Sequence, residues 1–376
     1  MTPTYEDLQH LDHRARLHAV ARVAEQVQDT QRLLDLLLPR LRDTYPAVRE
    51  DAALALGQRA IDDPQVLATL VQHSGPVAPD DPYGLWVRLA ALFGLGRAGR
   101  GAARLEAPRW DAARMVALEA LGADEPDVRF QALAALDRLG ASAAQAQQAV
   151  RGCIDDEDDE VSASAAGMLA TWRDTQSIAA LQGRWDTLRD AQARRDVAHA
   201  LARLVVAAPD NAPQALRERL IDALLADVRR LPHALPACEL LGALGAQRAA
   251  PVLGKLVRGW LTNRFIRVAA AAGLARMGHK EGSQALGRFL TARRREQRGF
   301  AIEQIGQLKL EAFTSELIAI MKNTADEHAP VATVALGKMG SEAALEALRG
   351  AVDDARKDVR FEARAALGLE EGASKG

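Results

Sequence analysis

Aromatic residues are scarce: Phe, Trp and Tyr make up 4% of the 376 residues, while the hydrophobic fraction reaches 48%. Most of that fraction is Ala and Leu, so the chain is rich in helix formers and poor in the aromatic and β-branched residues that strands prefer. Cysteine is nearly absent. Cys153 and Cys238 stand far apart within helical patterns, which excludes a disulfide framework and a CxxC metal or redox pair and fits a reducing compartment. Long apolar runs are missing too. The most apolar stretch, around Val268 to Ala275, is far below the ~18 residues a membrane span requires. Met1 to Asp12 carries Glu6, Asp7 and Asp12 without an apolar core, so no secretory signal is expected and the protein reads as soluble and cytoplasmic. Charge of one sign is also lacking. With 48 Lys and Arg against 50 Asp and Glu, the formal charge is -2, so no global field drives the chain onto nucleic acid or an anionic membrane, and any such binding must be local. Lysine is missing before Lys255, and all seven lie from there onward.

What is present is a repeat. A length of 376 residues suggests two or three domains at ~150 residues each, but the chain resembles itself instead. After Val128-Arg129 come Ala132 and Ala135-Leu136; Val48-Arg49 leads likewise to Ala52 and Ala55-Leu56-Gly57, and Val87-Arg88 to Ala91 and Gly94-Leu95-Gly96. Ile266-Arg267 leads to Ala270 and Gly273-Leu274-Ala275, and Val359-Arg360 to Ala363 and Ala366-Leu367-Gly368. With weaker copies, anchors fall at 57, 96, 137, 170, 202, 242, 275, 306, 337 and 368, in steps of 31 to 41 residues. Each step fits two helices and a turn, as with 342–352 followed by 358–367. The Ala four residues after the Arg lets the second helix approach its neighbours closely, and the terminal Gly is expected to close it in the left-handed conformation. One pair cannot bury its own apolar face, so the pairs must stack into a solenoid.

These residues resemble the HEAT repeat family, in particular its short, phycobilisome-lyase-like form, with Asp127-Val128-Arg129 and the Ala-Leu-Gly endings as the most specific elements. The resemblance covers roughly residues 30 to 369 and implies an all-α, right-handed α-solenoid (superhelix) of about ten stacked helix pairs. It also implies that the second helices line the concave side. Residues 1–29 are expected to form a capping helical segment, 30–369 a single extended repeat domain and 370–376 a disordered tail. Inserts are expected at 73–82, 99–108 and 207–213, and an uncapped C-terminal edge invites self-association.

Function is expected to be non-catalytic: a scaffold or adaptor that holds a protein partner. On the outward face of the second helices, where solvent is expected, Trp86, Leu89 and Phe93 form an apolar stripe rimmed by Arg97 and Arg138, and Phe130, Phe265, Phe300 and Phe361 take related places. Such a patch suits partner binding, although the rings could instead fill gaps between repeats. The repeated arginines are read as structural, with Asp124, Asp127, Asp354 and Asp358 as partners. Residues 255 to 300 carry 11 Lys or Arg against Glu281 and Glu296. There Arg264, Arg267, Arg293, Arg294, Arg295 and Arg298 form a basic face that offers the alternative of nucleic-acid binding. A lyase-like chaperone of a chromophore or modified subunit rests on the resemblance alone. The acidic run from Asp155 to Glu160 lacks the pattern of a calcium loop and reads as a solvated turn. Gly94 to Gly99 matches GxGxxG but ends a helix instead of following a strand, so no dinucleotide site is expected. No cofactor, metal site, catalytic set or membrane partner is expected.

Overall fold

The computed structural model describes residues 7–101 and 108–369, and among these residues the regular elements are all helical. The chain divides into two compact units, Met1–Leu204 and Val205–Gly376. The first holds α1 (His13–Gln26), α2 (Thr30–Leu37), α3 (Pro46–Ala60), α4 (Pro64–His73), α5 (Gly84–Gly101), α6 (Asp111–Ala120), α7 (Pro126–Arg138), α8 (Ala143–Gly152), α9 (Asp159–Thr171) and α10 (Ile178–Thr187). Helix α11 (Ala191–Ala207) carries the boundary near its end. The second unit continues with α12 (Gln214–Asp227), α13 (Ala234–Ala243), α14 (Ala250–Arg258), α15 (Arg264–Arg276), α16 (Lys280–Phe289), α17 (Arg295–Gln307), α18 (Thr314–Lys322), α19 (Ala329–Met339), α20 (Glu342–Arg349) and α21 (Lys357–Ala366). The helices pair in chain order, as α2–α3, α4–α5, α6–α7 and α8–α9 in the first unit and α12–α13, α14–α15, α16–α17, α18–α19 and α20–α21 in the second, and each unit is an α-solenoid of stacked pairs.

The local sequence explains where the helices begin. Asp12, Asp29, Asp63, Asp158 and Asn263 stand just before a helix, and each side chain accepts from a first-turn backbone N–H. Proline at the first turn opens α3, α4 and α7. Helix α1 packs on α3, at the end of the layer that α3, α5 and α7 form. In the second unit α13, α15, α17, α19 and α21 pack in series. The repeated apolar positions form the floor between layers: Leu56, Leu95, Leu136 and Leu336 are fully buried, as are Ala52, Ala91, Ala132 and Ala363. Of the expected segments, 1–6, the 102–107 part of the second insert and the tail at 370–376 lie outside the described residues.

Two sequence expectations need correction. The anchor glycines 57, 96, 242, 306 and 337 sit inside helices, where they permit close approach instead of closing the helix. A Cβ on Gly242 would stand 2.6 Å from Gly273 Cα, and one on Gly57 would stand 2.3 Å from the Gly94 carbonyl oxygen. The left-handed closures come a few residues later, at Gly140, Gly245, Gly278 and Gly340, and only at 368 does an anchor glycine take that role. Gly96 likewise lies mid-helix, since α5 runs on to Gly101.

The repeated arginines are structural, but their partners differ from those expected. Arg49, Arg88, Arg267 and Arg298 each donate to a carbonyl at the end of the preceding helix or in the turn that follows it: those of Asp43, Ser74, Val257 and Leu290. Arg129 and Arg360 do the same, to Asp124 and Asp354. The carboxylate partners lie one repeat ahead, with Arg129 bridging to Asp156 and Arg298 to Asp326. Turn carbonyls cannot be paired within a helix and need a donor, which a long guanidinium folded back from the next helix supplies.

Candidate interaction groove

The first unit brings Trp86, Leu89 and Phe93 of α5 together with Phe130 of α7 around a cavity of about 260 Å³, with Arg49, Glu50 and Pro46 of α3 on its far wall. The spacing accounts for this: 86, 89 and 93 recur at helical intervals on one face of α5, while Val87, Ala91 and Leu95 point into the core. Trp86, Leu89 and Phe93 are half-buried, and Phe130 is 39% exposed. These side chains line the concavity with part of their surface open to it. Tyr83 meets Trp86 with ring centroids 5.5 Å apart.

Arg97 and Arg138 do not line this cavity; Arg138 lies against Gly96 of α5, 3.3 Å from where a Cβ would stand. The basic wall is Arg49, whose guanidinium sits 4.4 Å above the Trp86 ring while Nη1 donates to the Asp43 carbonyl at 2.7 Å. Sequence reasoning placed Arg49 among the structural arginines. One side chain fills both roles, because the backbone bond fixes the guanidinium that then covers the indole.

A second cavity, about 520 Å³, shares Phe130 with the first and continues along α9 and α11. Small residues line it, Ala163, Ser164, Gly167, Ala193 and Ala200, together with the buried His199, and Glu160, Asp190, Asp196 and Arg203 complete the lining. Phe130 is thus the ridge between an aromatic compartment and an acid-lined one. Sequence reasoning missed the second compartment; the signal was the small-residue run from Ser162 to Gly167 facing acids at 190 and 196. The acidic turn before α9 is only partly solvated. Asp156 is bound by Arg129, Asp158 caps α9, and Asp159 holds Arg184 and the N–H groups of Arg189 and Asp190, whereas Glu157 is exposed. Those N–H bonds, that of Asp190 foremost, hold the Asp159 carboxyl below its ordinary range.

The insert at 73–82 borders a different cavity, about 480 Å³, with the α6–α7 turn, and it shares no lining residue with the aromatic compartment.

In the second unit Phe265 and Phe300 form an edge-to-face pair with centroids 6.0 Å apart, under Arg264 at 5.0 Å. Phe361 stands 48% exposed on α21. Several of the basic residues between 255 and 300 are engaged. Arg264 pairs with Glu296, Arg295 with Glu327 and Arg298 with Asp326, and Arg267 donates to Val257 and lies over Phe289. Arg293 and Arg294 are exposed and enter no ion pair among the described residues.

Burial pushes the Cys153 thiol up to about 11 and the Cys238 thiol up to about 12. Among the described residues no group of three or more His, Cys, Asp or Glu is placed to hold a metal ion, and no helix is long and apolar enough to cross a membrane.

Comparison with known proteins finds several similar solved structures. Human deoxyhypusine hydroxylase is similar over 84% of this chain and 98% of its own, at 21% identity and a TM-score of 0.31. The complex of CpcE and CpcF of phycocyanin lyase from Nostoc sp. is similar over 63% and 92%, at 20% identity and 0.46. Kap121p is similar over 97% of this chain and 48% of its own, at 12% identity and 0.47. No curated protein matches the sequence. Residues 288–368, which span the last helix pairs, match the family model described as HEAT repeats.

Proposed function

We propose that the protein is a non-catalytic adaptor that holds a segment of a protein partner in the two-compartment groove of its first unit. The observation that carries this reading is the placement of Trp86, Leu89, Phe93 and Phe130 around an open concavity, in a chain where aromatics make up only 4%. Large apolar side chains left half-exposed in a groove and edged by a fixed arginine have the make-up of an interface hot spot. The lining acids, Glu50, Asp127, Glu160, Asp190 and Asp196, outnumber Arg49 and Arg203. The partner segment is therefore an apolar one bearing Lys or Arg, its apolar side chains against Trp86 and Phe93 and its cations beyond the Phe130 ridge. Helix-in-groove docking suits this shape, with anchors on one helical face.

The test is selection of random peptides on the immobilised protein. Enriched sequences should combine apolar anchors with basic residues, and their binding should fall at least tenfold with Trp86→Ala or Phe93→Ala while helicity and melting temperature stay near wild type. Peptides with no such bias, or binding indifferent to both substitutions, would refute the groove as the site.

A further inference from the structure

The second unit exposes large apolar side chains where no groove receives them. The turn between α14 and α15 is a tight one, closed by the Thr262 N–H donating to the Gly259 carbonyl at 3.2 Å, and it sets Trp260 and Leu261 at its two central positions. They are 84% and 80% exposed. The turn is anchored on both sides: Arg267 donates to the Val257 carbonyl behind it, and the Asn263 side chain caps α15 ahead of it. The exposure is therefore built in by a fixed turn. In the preceding pair the α12–α13 turn presents Leu231, 63% exposed, at the equivalent place.

The same edge is basic. Arg229 and Arg230 precede Leu231, and Arg293 and Arg294 occupy the next turn, between α16 and α17; all four are exposed and enter no ion pair among the described residues. Arg258, Arg264 and Arg295 on these turns are already paired with Glu281, Glu296 and Glu327. At the fourth turn Asp326 and Glu327 appear, which bounds the basic edge to three turns.

We propose that this edge docks on an anionic lipid surface, with Trp260, Leu261 and Leu231 entering the interfacial layer and the four arginines meeting the lipid phosphates and carboxylates. A rigid protein partner favours anchors that fill pockets, whereas side chains that project from turn tips match a soft medium that closes around them. Tryptophan prefers the headgroup level of a bilayer, where its ring is buried and its N–H stays wet. Cations within reach of an anionic leaflet add to that attraction one by one. The near-neutral net charge is no obstacle, since the field is that of the local edge.

Sedimentation of the full chain with lipid vesicles tests this. At about 0.1 M salt the protein should pellet with phosphatidylcholine vesicles containing about 30% phosphatidylserine and not with pure phosphatidylcholine, and added salt should release it. The paired substitution Trp260→Ala with Leu261→Ala should weaken binding at least tenfold, and Arg293→Gln with Arg294→Gln roughly twenty-fivefold, at about fivefold per arginine. All four side chains are exposed, so circular dichroism should be unchanged. Trp260→Phe should retain binding but lose the blue shift of tryptophan emission that vesicles induce. The proposal is overturned if the anionic vesicles fail to pellet the protein, or if pelleting ignores Trp260 and Leu261. It is equally overturned if duplex DNA binds more tightly than the vesicles and depends on the arginines alone.

Discussion

Arg129 of α7 bridges to Asp156 in the turn before α9 through two parallel hydrogen bonds, Nε to Oδ2 and Nη2 to Oδ1, each 2.7 Å. Its Nη1 also donates to the carbonyls of Ala123 and Asp124, so one guanidinium ties its own turn to the next repeat. Arg298 repeats the arrangement with Asp326 and the Leu290 carbonyl.

Both members of the Arg129–Asp156 pair are more than nine-tenths buried, and removing one partner leaves the other charge without compensation. Arg129→Ala should therefore cost about 3 kcal/mol of unfolding free energy. Urea titration of the single and double variants checks this, with a coupling energy well above that of a surface pair. A cost below about 0.5 kcal/mol would place the bridge among ordinary surface contacts.

Lys309 closes α17 in the left-handed region at φ 50°, where Gly140, Gly245, Gly278 and Gly340 serve in other pairs. The closing bonds match those at Gly140, Gly245 and Gly278, from Lys309 N–H to the Gly306 carbonyl and from Leu310 N–H to the Ile305 carbonyl. A Cβ is strained there and glycine is not, so Lys309→Gly should stabilise the protein by about 0.5–1 kcal/mol. A raised melting temperature is the expected reading.

Gly242 and Gly183 should respond oppositely to alanine. At Gly242 a Cβ would collide with the backbone of α15, and no side-chain rotation relieves the clash, so Gly242→Ala should cost about 1–3 kcal/mol. At Gly183, inside α10, a Cβ would meet nothing within 4 Å, and Gly183→Ala should add about 0.5–1 kcal/mol through helix propensity. Denaturant midpoints of the two variants should bracket that of the wild type.

Acid should loosen the helix pairs through specific carboxylates. The Arg151 guanidinium holds the Asp174 carboxyl below its ordinary range, and Arg356 holds Asp354 down to about 2. At Asp326 burial pushes upward, but the hydrogen bonds and charge of Arg298 prevail and the net direction is down. Their unfolded counterparts titrate near ~3.9, so between these limits the folded chain binds fewer protons than the unfolded one and stability rises with pH. The stabilisation should be complete above about pH 5 and fade as pH falls from about 4 toward 2. Melting temperatures across this range should trace that loss, and Asp354→Asn should flatten part of it.

Much of the fold was legible because packing demands are periodic. The Arg, Ala and Leu positions around 129, 132 and 136 recur with the helix pairs, and the inserts at 73–82 and 207–213 start on the last residue of a helix and run up to the next one. What the glycines do was not legible, since a repeat ending in Gly looks the same whether the residue closes a helix or admits a neighbour. The aromatic wall of the groove followed from helical spacing along α5. Arg49 did not, because a backbone bond and a ring contact leave the same letter in the sequence. The acid-lined compartment depends on residues that are small, and an absence of side chain gives little signal in a chain rich in alanine. The exposed turn at Trp260 lay outside the helical pattern altogether.

The most direct test of the groove is the dissociation constant of a selected apolar, basic peptide for the wild-type protein and for the Trp86→Ala, Phe130→Ala pair, both with intact helicity. The account predicts a loss of roughly thirtyfold or more, as expected when hot-spot side chains are truncated. An unchanged constant would contradict it.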